Sequence, residues 1–161
     1  CMGAEGMNMG TRWLATVEAP IHENVKRALV SGDENSTTLV MRSVRSSSVR
    51  AHSNIIYDRT HHHTQTQVRN TERVFKNKAA EKVLEIEREH PGDFSKIAHL
   101  VRGENYREVF HETGELDEGV WSAGTCMGLI EDIPTCDELT KRIINEAEDI
   151  LRNKMSSILI N

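Results

Sequence analysis

The residues best able to do chemistry open the chain: Gly3-Ala4-Glu5-Gly6-Met7-Asn8-Met9-Gly10-Thr11-Arg12. Glycine lets backbone N–H groups approach an anion closely, and a neighbouring threonine hydroxyl adds a donor. Such a run can cradle a phosphate; its plain alternative is a strand end with a tight turn. His61-His62-His63, with His52 nearby, invites a metal. Three adjacent histidines cannot all face one ion on a regular element, and structural zinc sites space their ligands. The run therefore reads as low complexity, and no metal site is expected. Cys126 and Cys136 stand ten residues apart without a local His or basic neighbour, which predicts buried, inert thiols. His22, His90, His99 and His111 share no spacing and read as surface or capping residues. Glu81, Glu85, Glu87 and Glu89 read as a solvated helix face. In Trp121–Ile130 the small residues Ser122, Ala123, Gly124 and Gly128 leave room for close approach. Interior glycine costs a helix about 1 kcal/mol against alanine, so a contact needing small residues is expected there. Helix packing and ligand contact are equal readings of that stretch.

The elements that must position these residues follow from periodicity. Met7, Met9 and Thr11 alternate with Asn8, Gly10 and Arg12, which predicts a short strand near 6–12. Pro20 opens a helix with Ile21, Val25, Ala28 and Leu29 on one face and Gly32 at its end. Residues 37–44 are β-branched and apolar, hence a strand or extended segment. Asn70 or Thr71 caps a helix to about 89 with Phe75, Ala79, Val83 and Ile86 on one face, ended by Pro91-Gly92. Asp93 caps a helix over 94–102 that Gly103 stops, and Tyr106, Val109 and Phe110 mark another that Gly114 stops. Residues 121–130 are expected to be a small-residue helix. Thr135 and Glu138 form a capping box for a last helix over about 136–155.

Composition sets outer bounds. The chain has 161 residues, a net charge of -5 and 4% aromatic residues. An acidic balance argues against a general nucleic-acid binder, and no apolar run reaches membrane-spanning length. Three cysteines, an odd number at poor spacing, fit a reducing compartment better than a disulfide scaffold. With no charged-then-apolar opening segment, a cytoplasmic protein is expected. Residue 1 is Cys, as expected if the sequence starts partway through a longer protein. Residues 46–69 contain no Leu, Glu or Lys, and Ser, Thr, His and Gln dominate them. That composition cannot bury enough surface to offset chain entropy, so a disordered insertion is expected there. Removing it joins Arg45 to Asn70 in a sequence that reads continuously, as an unremoved intron or a gene-model error would produce.

Two segments together resemble the nitronate monooxygenase (2-nitropropane dioxygenase-like) family. The family hallmark GAD-x-x-x-x-GTRF is matched by Gly3-Ala4-Glu5 and Gly10-Thr11-Arg12-Trp13, with Glu5 in place of Asp and Trp13 in place of Phe. The hallmark W-S-A-G-Q-x-x-G-L-I is matched by Trp121–Ile130 with Thr125 in place of Gln, and is followed by Ile133-Pro134 and Glu138-Leu139. The resemblance implies an α/β fold: the C-terminal portion of an FMN-binding TIM (β/α)8 barrel, mostly helical in this piece. It implies a division into 1–18 (last barrel strand and phosphate-binding loop), 19–45 (helix and extended segment), the 46–69 insertion, and 70–161 (helical C-terminal region). It implies that Asn8, Met9, Gly10 and Thr11 contact the FMN phosphate, chiefly through backbone groups. The family's catalytic His lies upstream of that segment, so no residue of this chain is expected to be catalytic. The implied reaction is oxidation of an alkyl nitronate with O2. The alternatives are a flavin-dependent enoyl-acyl-carrier-protein reductase, or an inactive remnant or helical interaction module.

Overall fold

The structure, a computed structural model, describes residues 5–42 and 71–155. The 46–69 insertion and the His52 and His61–His63 group lie outside the described residues.

A two-stranded antiparallel hairpin organises the rest. β1 (Thr37–Val40) pairs with β2 (Glu72–Phe75) in the register Thr37 to Phe75 and Val40 to Glu72. The chain at Trp121–Ala123 runs along the other side of β2. Val74 bridges Ser122, the Phe75 N–H donates to the Trp121 carbonyl at 2.9 Å, and the Ala123 N–H donates to the Arg73 carbonyl at 3.3 Å.

The helices are α1 (Thr11–Leu14), α2 (Glu23–Ser31), α3 (Lys78–Glu89), α4 (Phe94–Ile97), α5 (Gly103–Arg107) and α6 (Cys136–Asp149). α5 runs on into a π-helical stretch, Glu108–Thr113, and α6 into another, Ile150–Met155. Short 3-10 turns occupy Glu34–Ser36 and Thr125–Leu129. Side chains satisfy the orphan N–H groups at most helix starts. His22 Nδ1 accepts from Asn24 N–H, Asn77 from Ala80 N–H, and Asp93 from Ser95 N–H. Thr135 and Glu138 form the expected capping box. Gly114 ends its helix with φ +64°, a left-handed conformation natural to glycine; a Cβ there would also strike the His22 ring.

Two apolar clusters flank the hairpin. One gathers Val25, Leu29, Phe110, Trp121, Met127 and Ile130, with Phe75 packed on it. The other gathers Val40, Val74, Ala80, Val83, Ile97 and Val120. Trp121 is completely buried, stacks on Phe75 with centroids 4.4 Å apart, and meets Phe110 edge-on at 5.6 Å. No helix among the described residues is long and apolar enough to cross a membrane.

Several elements differ from the sequence expectation. The strand expected near 6–12 is absent: residues 6–9 are irregular and α1 begins at Thr11. The alternation finds no core face, since Met7 is 68% exposed, and no described strand lies beside it to pair with. The helix expected from residue 70 starts only at Lys78. Glu72–Phe75 is a strand because Val74 faces the core while Phe75 packs on Trp121, an alternation that helical spacing had masked. The helix expected over 94–102 is the single turn α4, and Gly103 opens α5 rather than stopping a helix. The helix expected over 121–130 is an extended run followed by a 3-10 turn, because the backbone of Trp121–Ala123 hydrogen-bonds to β2.

Candidate functional site

The described part of the glycine-rich opening, from Glu5 on, lies on the surface. Glu5, Gly6, Met7, Asn8 and Gly10 are exposed, and Met9 and Thr11 are half-buried. The Gly10 carbonyl accepts from the Trp13 N–H at 3.0 Å and starts α1. A Cβ built on Gly6 or Gly10 would meet nothing within 4 Å. Their backbone is thus open among the described residues, none of which explains the absence of a side chain.

Behind this open segment, α1 is anchored twice. The Thr11 Oγ1 accepts from the Gly124 N–H at 2.9 Å, which joins two segments 113 residues apart. Arg12 donates through Nη2 to Asp132 Oδ1 at 2.7 Å and through Nη1 to the Asp132 carbonyl at 3.1 Å. Arg142 of α6 grips the same carboxylate, with Nη2 2.7 Å from Oδ2. The Arg142 hydrogen bond first, and the Arg12 charge after it, hold the Asp132 carboxyl below its usual range. Met9, Arg12, Leu129, Asp132, Arg142 and Ile143 border a groove of about 570 Å³ between this segment and α6.

The chain after α1 is tied down as well. Lys26 is only 5% exposed and donates from Nζ to the Val17 carbonyl at 3.0 Å. Glu18 accepts from the Cys136 N–H through both carboxylate oxygens, at 2.9 and 3.1 Å. That backbone N–H is the main cause of a Glu18 pKa below the usual range.

A flavin phosphate is an anion held by N–H and O–H donors. The residues present fit one. Gly10 leaves backbone open on one side, and a threonine hydroxyl that accepts from Gly124 keeps its own proton to donate. Arg12 is a different matter, since Asp132 already occupies its guanidinium.

The other candidates resolve individually. Cys126 is exposed, contrary to expectation, because it sits on a 3-10 turn rather than on the inner face of a helix. Cys136 is half-buried at the start of α6, its Sγ 3.6 Å from the Thr16 hydroxyl. His22 caps α2, His90 ends α3, and His111 Nδ1 contacts the Pro20 carbonyl at 2.6 Å. Glu87 is not on the solvated face: it is half-buried, and its Oε2 accepts from the Met41 N–H at 2.8 Å. Sequence reasoning missed the link of Arg12 to Asp132. Arg12 stood within the glycine-rich motif, but nothing marked Asp132, 120 residues away, as its partner.

The sequence model of one family, nitronate monooxygenase, matches residues 1–146. The chain belongs to the nitronate monooxygenase family. This is a family of flavin-dependent oxidoreductases, and a TIM-barrel-type fold is implied for the protein that contains these residues. Among solved structures, the chain is similar to FabK from Thermotoga maritima, with a TM-score of 0.72 at 22% identity, over 96% of this chain and 40% of that one. A single-substitution mutant of the same FabK gives a TM-score of 0.64 at 22% identity, over 96% of this chain and 38% of that one. The chain thus spans about two fifths of the length of these structures. Within the nitronate monooxygenase fold, the described part is mostly helical with a two-stranded sheet.

Proposed function

We propose that this chain is the C-terminal part of an FMN-dependent nitronate monooxygenase, in which Asn8, Met9, Gly10 and Thr11 hold the phosphate of the flavin. The observation that carries this reading is the hydrogen bond between Thr11 and Gly124. It brings together the two segments that resemble the family's hallmarks. Gly10 and Thr11 offer backbone N–H groups and a hydroxyl proton to a phosphate. Gly124, through Thr11, and Asp132, through Arg12, fix the turn that presents them. The bound flavin supplies the electron transfer between nitronate and O2, and the protein supplies position and electrostatics. The family's catalytic His belongs upstream of Gly3, so this chain by itself is expected neither to retain FMN nor to turn over nitronates.

A second reading, a flavin-dependent enoyl-acyl-carrier-protein reductase, fits the same barrel. The test is to purify both the 161-residue chain and a complete protein that contains it. The expected result is a colourless chain, and a yellow complete protein that consumes O2 with an alkyl nitronate and needs no NAD(P)H. A strict NAD(P)H requirement with reduction of an enoyl thioester would favour the second reading. Stoichiometric flavin and nitronate turnover in the 161-residue chain would overturn the assignment of catalysis to an upstream part.

A further inference from the structure

The chain carries five more acids than bases, yet three arginines line one groove. The groove, of about 540 Å³, runs between β1 and the last turns of α3 and is bordered by Thr37, Thr38, Arg42, Arg73, Glu87 and Arg88. Its size falls in the range of small-ligand sites. Elsewhere half of the described cations meet carboxylates: Arg12, Arg27, Lys78, Lys141, Arg142 and Arg152 all form ion pairs. Among the described residues, no carboxylate lies within ion-pair distance of Arg42, Arg73 or Arg88.

Two of these arginines are set in place by the hairpin. Arg73 lies opposite Leu39 in the ladder and reaches diagonally to Thr37, with its Nη1 3.0 Å from Oγ1. That bond uses one guanidinium N–H and leaves the others to donate. Arg42 follows Met41, whose φ of 56° turns the chain sharply at the end of β1. Non-glycine residues seldom adopt that conformation, and Glu87 secures it by accepting the Met41 N–H. The one carboxylate of the groove thus accepts a backbone N–H, and Arg42, Arg73 and Arg88 border the same space; the Thr37 hydroxyl is engaged with the Glu34 carbonyl and with Arg73.

We propose that this groove binds a phosphate-bearing ligand. Three arginines around one groove match a multivalent anion with three or four acceptor oxygens better than a carboxylate with one charge and two oxygens. None of the lining residues belongs to the Asn8–Thr11 segment, so the proposal stands independently of the flavin reading.

The test is a phosphorus NMR titration of the full chain with pyrophosphate at low salt. Saturable binding that weakens as salt rises is expected. The pair Arg42→Ala and Arg88→Ala should weaken it at least tenfold. The pair Arg27→Ala and Lys141→Ala removes the same charge elsewhere and should change it less than twofold. Should circular dichroism show that the first pair does not fold, Arg42→Lys with Arg88→Lys decides. These keep the charge but lose the fork, so a threefold or greater weakening supports the proposal and unchanged affinity overturns it. Absence of saturable binding to the unaltered chain, or equal losses in the groove pair and the control pair, would also overturn it.

Discussion

The two segments that resemble the family's hallmarks meet in space, yet they have opposite environments. Glu5–Gly10 is open, and its glycines would accept a Cβ without contact. Trp121–Ile130 is anchored by buried residues: Trp121 and Met127 are fully buried, Ala123 and Ile130 nearly so, and a Cβ on Gly128 would lie 3.0 Å from the Glu34 backbone nitrogen. Small residues thus serve two purposes in one family signature. In the second segment they let the chain pack closely on itself. In the first they serve no contact among the described residues, as the proposed approach of a phosphate requires.

That contrast can be broken by substitution. Trp121→Ala should have the largest effect, a loss of about 3–5 kcal/mol, because it empties the space between Phe75 and Phe110. Chemical denaturation measures it, and a loss under about 1 kcal/mol would show that the segment is not the packed one. Gly128→Val should cost about 1–3 kcal/mol, since Glu34 backbone must yield. A Tm equal to that of the unaltered chain would contradict the close approach.

The link between the segments gives smaller effects. Thr11→Val removes the acceptor for the Gly124 N–H and should cost about 1 kcal/mol. Amide exchange should show faster exchange at Gly124, with little change in the Trp121 region. The Arg12–Asp132–Arg142 cluster adds a pH signature. The Asp132 pKa is depressed in the folded state, so its contribution is complete above the unfolded value, about 4. That contribution is lost as pH falls through the lower folded value. Acid titration of stability in Asp132→Asn should be flatter than in the unaltered chain below about pH 4, and identical slopes would contradict the pairing.

What could be read from the sequence followed the range of each interaction. Local chemistry was readable: the Thr135–Glu138 capping box, Gly32 after α2 and the left-handed Gly114 all act within a few residues. Features that depend on distant partners were not. Glu72–Phe75 reads as part of a helix until β1 and Trp121 lie on either side of it. Trp121–Ala123 reads as helical until β2 takes its backbone hydrogen bonds. The glycine-rich segment was legible as a motif, but not as an exposed turn rather than a strand. Glu87 looked solvated because nothing in its own helix marks the Met41 N–H it accepts.

The central claim is that the open segment exists for an anion and the packed one for the fold. Gly10→Asp in the complete protein tests it most directly. Asp is favoured just before a helix, and a side chain here meets no atom of the described residues, so stability should change by less than about 1 kcal/mol. Its charge would repel a phosphate from the same backbone. Bound flavin per protein and Tm are measured together. The account predicts that flavin is largely lost while the Tm of the flavin-free protein is unchanged; full flavin retention, or a flavin-free protein that no longer folds, would contradict it.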